Sequence, residues 1–309
     1  MSTSSTSTQS IFIYSGTYTE QVTIPSLAGE LIIYGYTTDT SSYTSNVVTI
    51  QHSSSLASGA PDDEHTGTVI NTSANTKFYN INIKNTYGQG SQAIALSAYN
   101  TQQGYYGVGL YGYQDTLLSE TGNQVYGKCY IQGAVDFIFG QHARTWIDST
   151  DIRVSASGGA ITANGRSSSS DVSYYVINKS SVDTAQGDSV SSGSVYLGRP
   201  WSEYARVCFQ NTVLSAVINN AGWEIWSSSS PNTEDVTFQV GTLIYLLLHR
   251  TRLRPRRLIF MSLFYLYIIR SRLIFPLGIR QYWDRSIRNE GIFFHETEQS
   301  FNYLHDFGK

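Results

Sequence analysis

Short apolar and β-branched runs, each closed by Gly, Asn, Asp or Ser, recur along the first three quarters of the chain. Such runs read as short strands separated by turns. They are IFIY at 11–14, LIIYGY at 31–36, VVTI at 47–50, FYNINI at 78–83, YYGVGLYGY at 105–113, VYGKCYI at 125–131, TWIDSTDIRV at 145–154, YYVIN at 174–178 and RVCFQNTVL at 206–214. No long amphipathic helical pattern separates them. Aligned on Tyr79, Tyr106, Tyr126, Trp146, Tyr175 and Val207, they recur in steps of 27, 20, 20, 29 and 32 residues. A unit of this size cannot bury its own apolar face, so such units stack. Without a helix in each unit, the pattern predicts an all-β fold: a parallel β-helix with about three short strands per coil and its length variation in loops. A sandwich or propeller would show hairpin turns between the runs, and Asn164-Gly165 is poorly placed for one.

Composition narrows the class. With 309 residues, 40% hydrophobic content and a net charge of −3, wholesale disorder is excluded. Cys129 and Cys208 allow at most one bridge and read as small buried apolar residues; no Cys/His cluster has zinc-ligand spacing, so neither metal nor cofactor is expected. The apolar runs near 243–248 and 258–269 fall short of the ~20 residues that span a bilayer. The start, MSTSSTSTQS, lacks a secretory signal, so the expectation is either an intracellular protein or a missing N-terminus.

Charge divides the chain. Residues 1–239 carry 9 Lys/Arg and 18 Asp/Glu, whereas 240–309 carry 11 and 5. The texture changes at the same point, from Ser, Thr, Asn and Gly to apolar blocks interrupted by arginines, which places a boundary near 239. The 240–309 segment reads as an unrelated basic and apolar tail, of the kind a missed splice junction or frameshift produces. A surface for nucleic acid or an anionic membrane is the other reading.

The candidate chemistry is acidic. Asp115 and Asp136 are 21 residues apart and Gln92 precedes Asp115 by 23, so one repeat would stack the three in a column with Gln114 beside them. Asp136, in GAVDFIFG, has apolar neighbours and needs a partner if buried. Arg199, between Gly198 and Pro200, is the best candidate for a guanidinium fork. Two stacked carboxylates cannot both ionise easily, so one serves as a proton donor and the Arg-paired one as a nucleophile.

The segments SQAIALS (91–97), GYQDTLL (112–118), IQGAVDFIFG (131–140) and YLGRPW (196–201) resemble, in this order and spacing, the pectinesterases (pectin methylesterases), the fungal ones in particular. The similarity runs from IYSGTYTEQV to AGWEIWSSSSPNTEDVTF at 221–238 and leaves out the tail. It implies a right-handed parallel β-helix that hydrolyses the methyl esters of polygalacturonate in pectin (methylated homogalacturonan). By position it implies Asp136 as nucleophile, Asp115 as acid and then base, Gln92 and Gln114 as oxyanion donors, and Arg199 as the group orienting Asp136. Trp201 would offer a flat face to a sugar ring, and Val135 and Phe139 would shape the cleft. The resemblance further implies a secreted, monomeric enzyme that works without cofactor, nucleic acid or membrane. Family members carry an N-terminal signal and cap and a glycine-rich close; neither end here resembles these, and both ends of the solenoid are expected to be uncapped.

Other readings stay open beside it. The two aspartates could be turn caps, Gln92 and Gln114 ladder residues, and Trp201 and Phe139 core. Asn71-Thr-Ser and Asn178-Lys-Ser are glycosylation sequons. An inactive pectin-binding solenoid is the alternative function. A polygalacturonase would need Gly-His-Gly and Arg-Ile-Lys strings, which do not occur; a lyase would need a calcium-binding carboxylate cluster, and Asp62-Asp63-Glu64 reads as solvated surface. The acidic body predicts weaker affinity for the anionic product and activity at mildly acidic pH.

Overall fold

A computed structural model describes residues 1–241; all of the basic tail beyond Gly241 lies outside the described residues. The described residues wind through three parallel sheets of nine, eight and seven strands, and every third strand returns to the same sheet until the last, Thr237–Val240, which joins the first sheet beside Arg206–Gln210 one strand early. One coil is therefore three short strands, as the repeat predicts. Parallel crossovers are right-handed, which sets the hand of the winding.

The core is a set of vertical columns. In the second sheet Ile50, Ile83, Leu110, Ile131, Ile152, Val182 and Leu214 follow one another in register, all buried. In the first sheet the corresponding column is Ile33, Phe78, Tyr105, Tyr126, Ile147, Ile177 and Phe209. The Phe78, Tyr105 and Tyr126 rings stack at 5.1 and 4.9 Å. Buried phenols need partners: Tyr105 accepts from Asn71, and Tyr126 donates to Gln124.

The repeat alignment slips by one residue along the way. Tyr79 does pair with Tyr106, but Tyr106 pairs with Gly127, and Tyr126 pairs with Tyr105 inside the core. Trp146 pairs with Val125 and Val176, so Tyr126, Trp146 and Tyr175 do not belong to one column. Successive strand residues point to opposite faces, so a step of 20 and a step of 21 put a side chain on opposite sides of the sheet.

Several runs that look continuous in sequence are two strands with a corner between them. FYNINI divides into Thr76–Tyr79 and Asn82–Asn85, and TWIDSTDIRV falls across His142–Asp148 and Asp151–Val154. The corner residues Asn80, Gly107, Lys128, Ser149, Lys179 and Asn211 all have φ between 47° and 60°. A left-handed residue repeated at one place in each coil turns the chain from the first sheet into the second.

Most strands of the third sheet are too short to recognise as runs in the sequence, Ala160–Asn164 and Tyr196–Pro200 being its longest. Its strands include Leu96–Ala98, Leu117–Ser119 and Ile138–Gly140, three residues each. Leu117 and Ile138 enter the core, while Leu118 and Phe139 face outward with Ile94 and Ala163 in a separate small apolar cluster. That outward cluster is the floor on which the candidate site is built.

Candidate active site

Asp115 and Asp136 occupy the corner that leads into the third sheet, each just before one of its strands. The Asp115 N–H donates to the Val135 carbonyl at 3.1 Å, which puts Asp115 one coil from Asp136 in register. Both have left-handed backbone, φ 64° and 47°. Short polar side chains tolerate this conformation best, and strained backbone clusters where it orients a working group. Both residues are nearly buried, at 6% and 5% exposure.

The two carboxylates have different partners. Arg199 donates from Nε to Asp136 Oδ1 at 2.9 Å and from Nη2 to Oδ2 at 2.6 Å, a two-pronged fork. Two parallel charge-assisted bonds of this kind fix the plane of the carboxylate. Asp115 makes no side-chain hydrogen bond with the described residues. Burial foremost, and then the negative charges of Asp136 and Asp63, push its carboxyl well above the ordinary carboxylate range; Arg199 opposes this. The two carboxylates thus differ: one is forked by a guanidinium, and the other is buried with its carboxyl raised.

Arg199 lies two coils beyond Asp136. Its row on the third sheet runs Ser97, Leu118, Phe139, Ala163, Arg199. At ~4.8 Å per strand the guanidinium must cross nearly 10 Å of row to reach the Asp136 coil. Ala163 stands in between, and its single methyl leaves the path open.

Sequence reasoning missed Trp226. Its ring lies 4.4 Å from the Arg199 guanidinium carbon, and its carbonyl oxygen accepts from Arg199 Nη1 at 3.4 Å. A cation over an indole face gains further attraction. Spacing could not reveal it, because Trp226 lies in an irregular segment outside the strand repeat.

The glutamines are placed differently from the single column that spacing suggests. The Ala93 N–H donates to the Gln114 carbonyl at 3.2 Å, so Gln92 lies beside Gln114 rather than beside Asp115. The site has two short rows, Gln92 with Gln114 and Asp115 with Asp136. Both glutamines are half-buried. The nearby N–H groups are already used: Ala134 and Val135 donate to Tyr113, and Asp136 donates to Ala160.

Val135 is half-buried and bridges Gln114. Phe139, 5% exposed, packs in the outward cluster with Trp201, their rings 6.2 Å apart. It is floor rather than solenoid core. Trp201 covers Gly165, where a Cβ would come within 2.6 Å of the indole.

Two other expectations, for Asp63 and for the sequons, are corrected. Asp63 is not solvated surface: its Oδ1 is buried with no partner among the described residues, and its charge bears on Asp115. Asn71 is wholly buried and donates to Thr76 and Tyr105, while Asn178, 6% exposed, donates to Asp148, so neither sequon offers its amide to solvent. Cys129 and Cys208 are both free and buried. Among the described residues no group of three His, Cys, Asp or Glu side chains is placed to hold a metal ion, and no helix is long and apolar enough to cross a membrane.

Comparison with known proteins agrees with this geometry. The pectinesterase family profile matches residues 1–243. The chain is 60% identical to a pectinesterase of Aspergillus niger over 241 residues, 77% of this chain and 72% of the relative. It is 57% identical to a pectinesterase of Aspergillus aculeatus over 77% of this chain and 73% of the relative. Its fold matches the crystal structure of the pectin methylesterase from Aspergillus niger with a TM-score of 0.74 and 42% identity over 81% of each chain. It matches pectin methylesterase from carrot with a TM-score of 0.68 and 27% identity over 78% of this chain and 75% of that one. Sequence match, solenoid and forked carboxylate pair together lead to one conclusion: this chain belongs to the pectinesterase family.

Proposed function

We propose that the chain removes methyl esters from pectin by a double displacement on Asp136. The observation that carries this reading is the asymmetry of the pair, Asp136 forked by Arg199 and Asp115 kept protonated one coil away. An Asp136 carboxylate oxygen attacks the ester carbonyl carbon of a methylated galacturonate. The tetrahedral oxyanion is met by the amides of Gln92 and Gln114. As the C–O bond to the methoxyl breaks, Asp115 gives its proton to the leaving oxygen, methanol departs, and an anhydride joins the galacturonyl group to Asp136. Asp115, now ionised, takes a proton from a water whose oxygen attacks the acyl carbon. The anhydride breaks, and free galacturonate and the Asp136 carboxylate are restored. The sum is ester plus water giving acid plus methanol.

Trp201, packed against the Phe139 floor, provides an apolar face for a sugar ring. The resemblance to fungal pectinesterases supports a secreted, monomeric enzyme that acts on methylated homogalacturonan. Residues 1–239 form the catalytic solenoid in this reading, and 240–309 contribute nothing to the reaction.

The test is methanol release from highly methylated pectin by the full chain beside Asp136→Ala and Asp115→Asn. Release that both variants abolish supports the assignment. Release that survives Asp136→Ala refutes the nucleophile.

A further inference from the structure

Tyr196–Pro200 is the last strand of the third sheet, and its outer edge is met by the irregular segment that follows it rather than by another strand. The Leu197 N–H donates to the Gly222 carbonyl at 2.8 Å, and the Glu224 N–H donates to the Gly198 carbonyl at 3.1 Å. Beyond Gly198 this pairing gives way to a closed turn. The Trp226 N–H donates to the Pro231 carbonyl and the Ser227 N–H to the Ser230 carbonyl, both at 3.2 Å, so the two ends of the turn stand together.

Each end of the turn grips the strand it faces. At one end the Trp226 ring lies over the Arg199 guanidinium. At the other, Asn232 Nδ2 donates to the Pro200 carbonyl at 3.2 Å and to the Trp201 carbonyl at 2.9 Å. One amide thus serves two successive carbonyls where the strand ends. Asn232 has left-handed backbone, φ 55°, which asparagine tolerates better than most residues. Glycine would suit that backbone equally well but could not make either bond.

The far side of the Trp201 segment is pinned separately. The Tyr204 N–H donates to the Arg166 carbonyl at 3.1 Å, and Arg166, 5% exposed, returns a bond from Nη1 to the Tyr204 carbonyl at 2.9 Å. Trp201 stands between these two anchors, with its ring over Gly165. We infer that Asn232 is a positioning residue for substrate binding: its amide fixes the Trp201 backbone, so that the indole stays over Gly165 and meets a sugar ring in one orientation. The inference rests on the esterase reading, in which Trp201 faces the substrate. The amide bonds of Asn232 reach Pro200 and Trp201, whereas Arg199 keeps its fork on Asp136 through other atoms. Loss of the amide is therefore felt in binding and not in the chemical step.

The test is Asn232→Gly in the full chain, which keeps the left-handed backbone and removes only the amide. KM for highly methylated pectin should rise about fivefold, the size of one neutral hydrogen bond, with kcat within about twofold of wild type. On a Trp201→Ala background the same substitution should add nothing, because a group that acts through Trp201 has nothing left to position. An unchanged KM, a fall in kcat at unchanged KM, or an equal loss on both backgrounds overturns the inference. Fluorine NMR of the fluorotryptophan-labelled chain reads the ring without catalysis. The Trp201 signal, identified by its absence in Trp201→Ala, should shift and broaden in Asn232→Gly, and an unmoved signal overturns the inference as well. Failure of the esterase reading looks different: wild type then releases no methanol, while the Trp201 signal still responds to Asn232→Gly.

Discussion

Arg199 and Asp136, 63 residues apart in sequence, meet through two hydrogen bonds that span two coils of the solenoid. The fork does three things at once. It offsets the cost of a nearly buried carboxylate, fixes the plane of its two oxygens, and sets the Asp136 charge whose field raises the Asp115 carboxyl.

Arg199→Lys replaces a planar fork with a point charge that cannot engage both oxygens. The expected cost is about 3 kcal/mol of transition-state stabilisation, roughly a hundredfold in kcat/KM. Arg199→Met leaves the nearly buried Asp136 unpaired, and methanol release should fall further than in Arg199→Lys. Methanol release by the two variants measures both; a rate for Arg199→Met near that of the wild type contradicts the role proposed for the fork.

Ala163→Leu tests the path of the guanidinium. A larger side chain between the Asp136 and Arg199 coils blocks the reach and overpacks the row, at about 1–3 kcal/mol of stability. Activity should fall much further than the melting temperature implies, while Ala163→Ser, nearly the same size, retains both.

Asp115 has its carboxyl raised in the folded protein, so folding takes up protons relative to the unfolded chain. Its contribution to stability is complete below the ordinary carboxylate range and is lost as pH rises toward the folded value. Asp115→Asn should therefore abolish methanol release yet raise the melting temperature at pH 8 more than at pH 4. In wild type the same deprotonation removes the acid of the first step, so activity is expected to fall on the alkaline side. Thermal melts and rate profiles at matched pH check this; a rate that declines steadily from pH 8 to pH 5 speaks against it.

Glu120 is a buried carboxyl outside the reaction, pushed up to about 7 chiefly by burial. The sign is the same: stability is lost as pH rises from the ordinary glutamate range through about 7. Glu120→Gln should remove that slope and stabilise the protein at pH 8 by up to about 3 kcal/mol, with methanol release retained. Urea denaturation at pH 4 and pH 8 supplies the measurement, and equal effects at both would contradict the burial argument.

Gly165→Ala places a methyl group 2.6 Å from the Trp201 indole. The ring must move off the cleft floor. KM for pectin should rise severalfold with little change in kcat, because the displaced group binds sugar and does not touch the reacting atoms. A fall in kcat at unchanged KM would place Trp201 closer to the chemistry than proposed.

The local pattern of this sequence determined a great deal. Short apolar runs, corner residues and a repeat of twenty to thirty residues specify stacked parallel coils, because each coil can bury its face only against the next. The motifs around Asp115, Asp136 and Arg199 already contained the groups that the structure brings together. Register was decided elsewhere. Tyr126 pairs with Tyr105 rather than Tyr106, and Gln92 stands beside Gln114 rather than Asp115, because backbone hydrogen bonds between coils fix level and face, and a single residue of loop length changes both. The three-residue strands of the third sheet are too short to show a period, although they form the floor of the site. The contacts of Trp226 with Arg199 and of Asn232 with Trp201 depend on groups from different segments meeting at one place, and the fold alone brings those together.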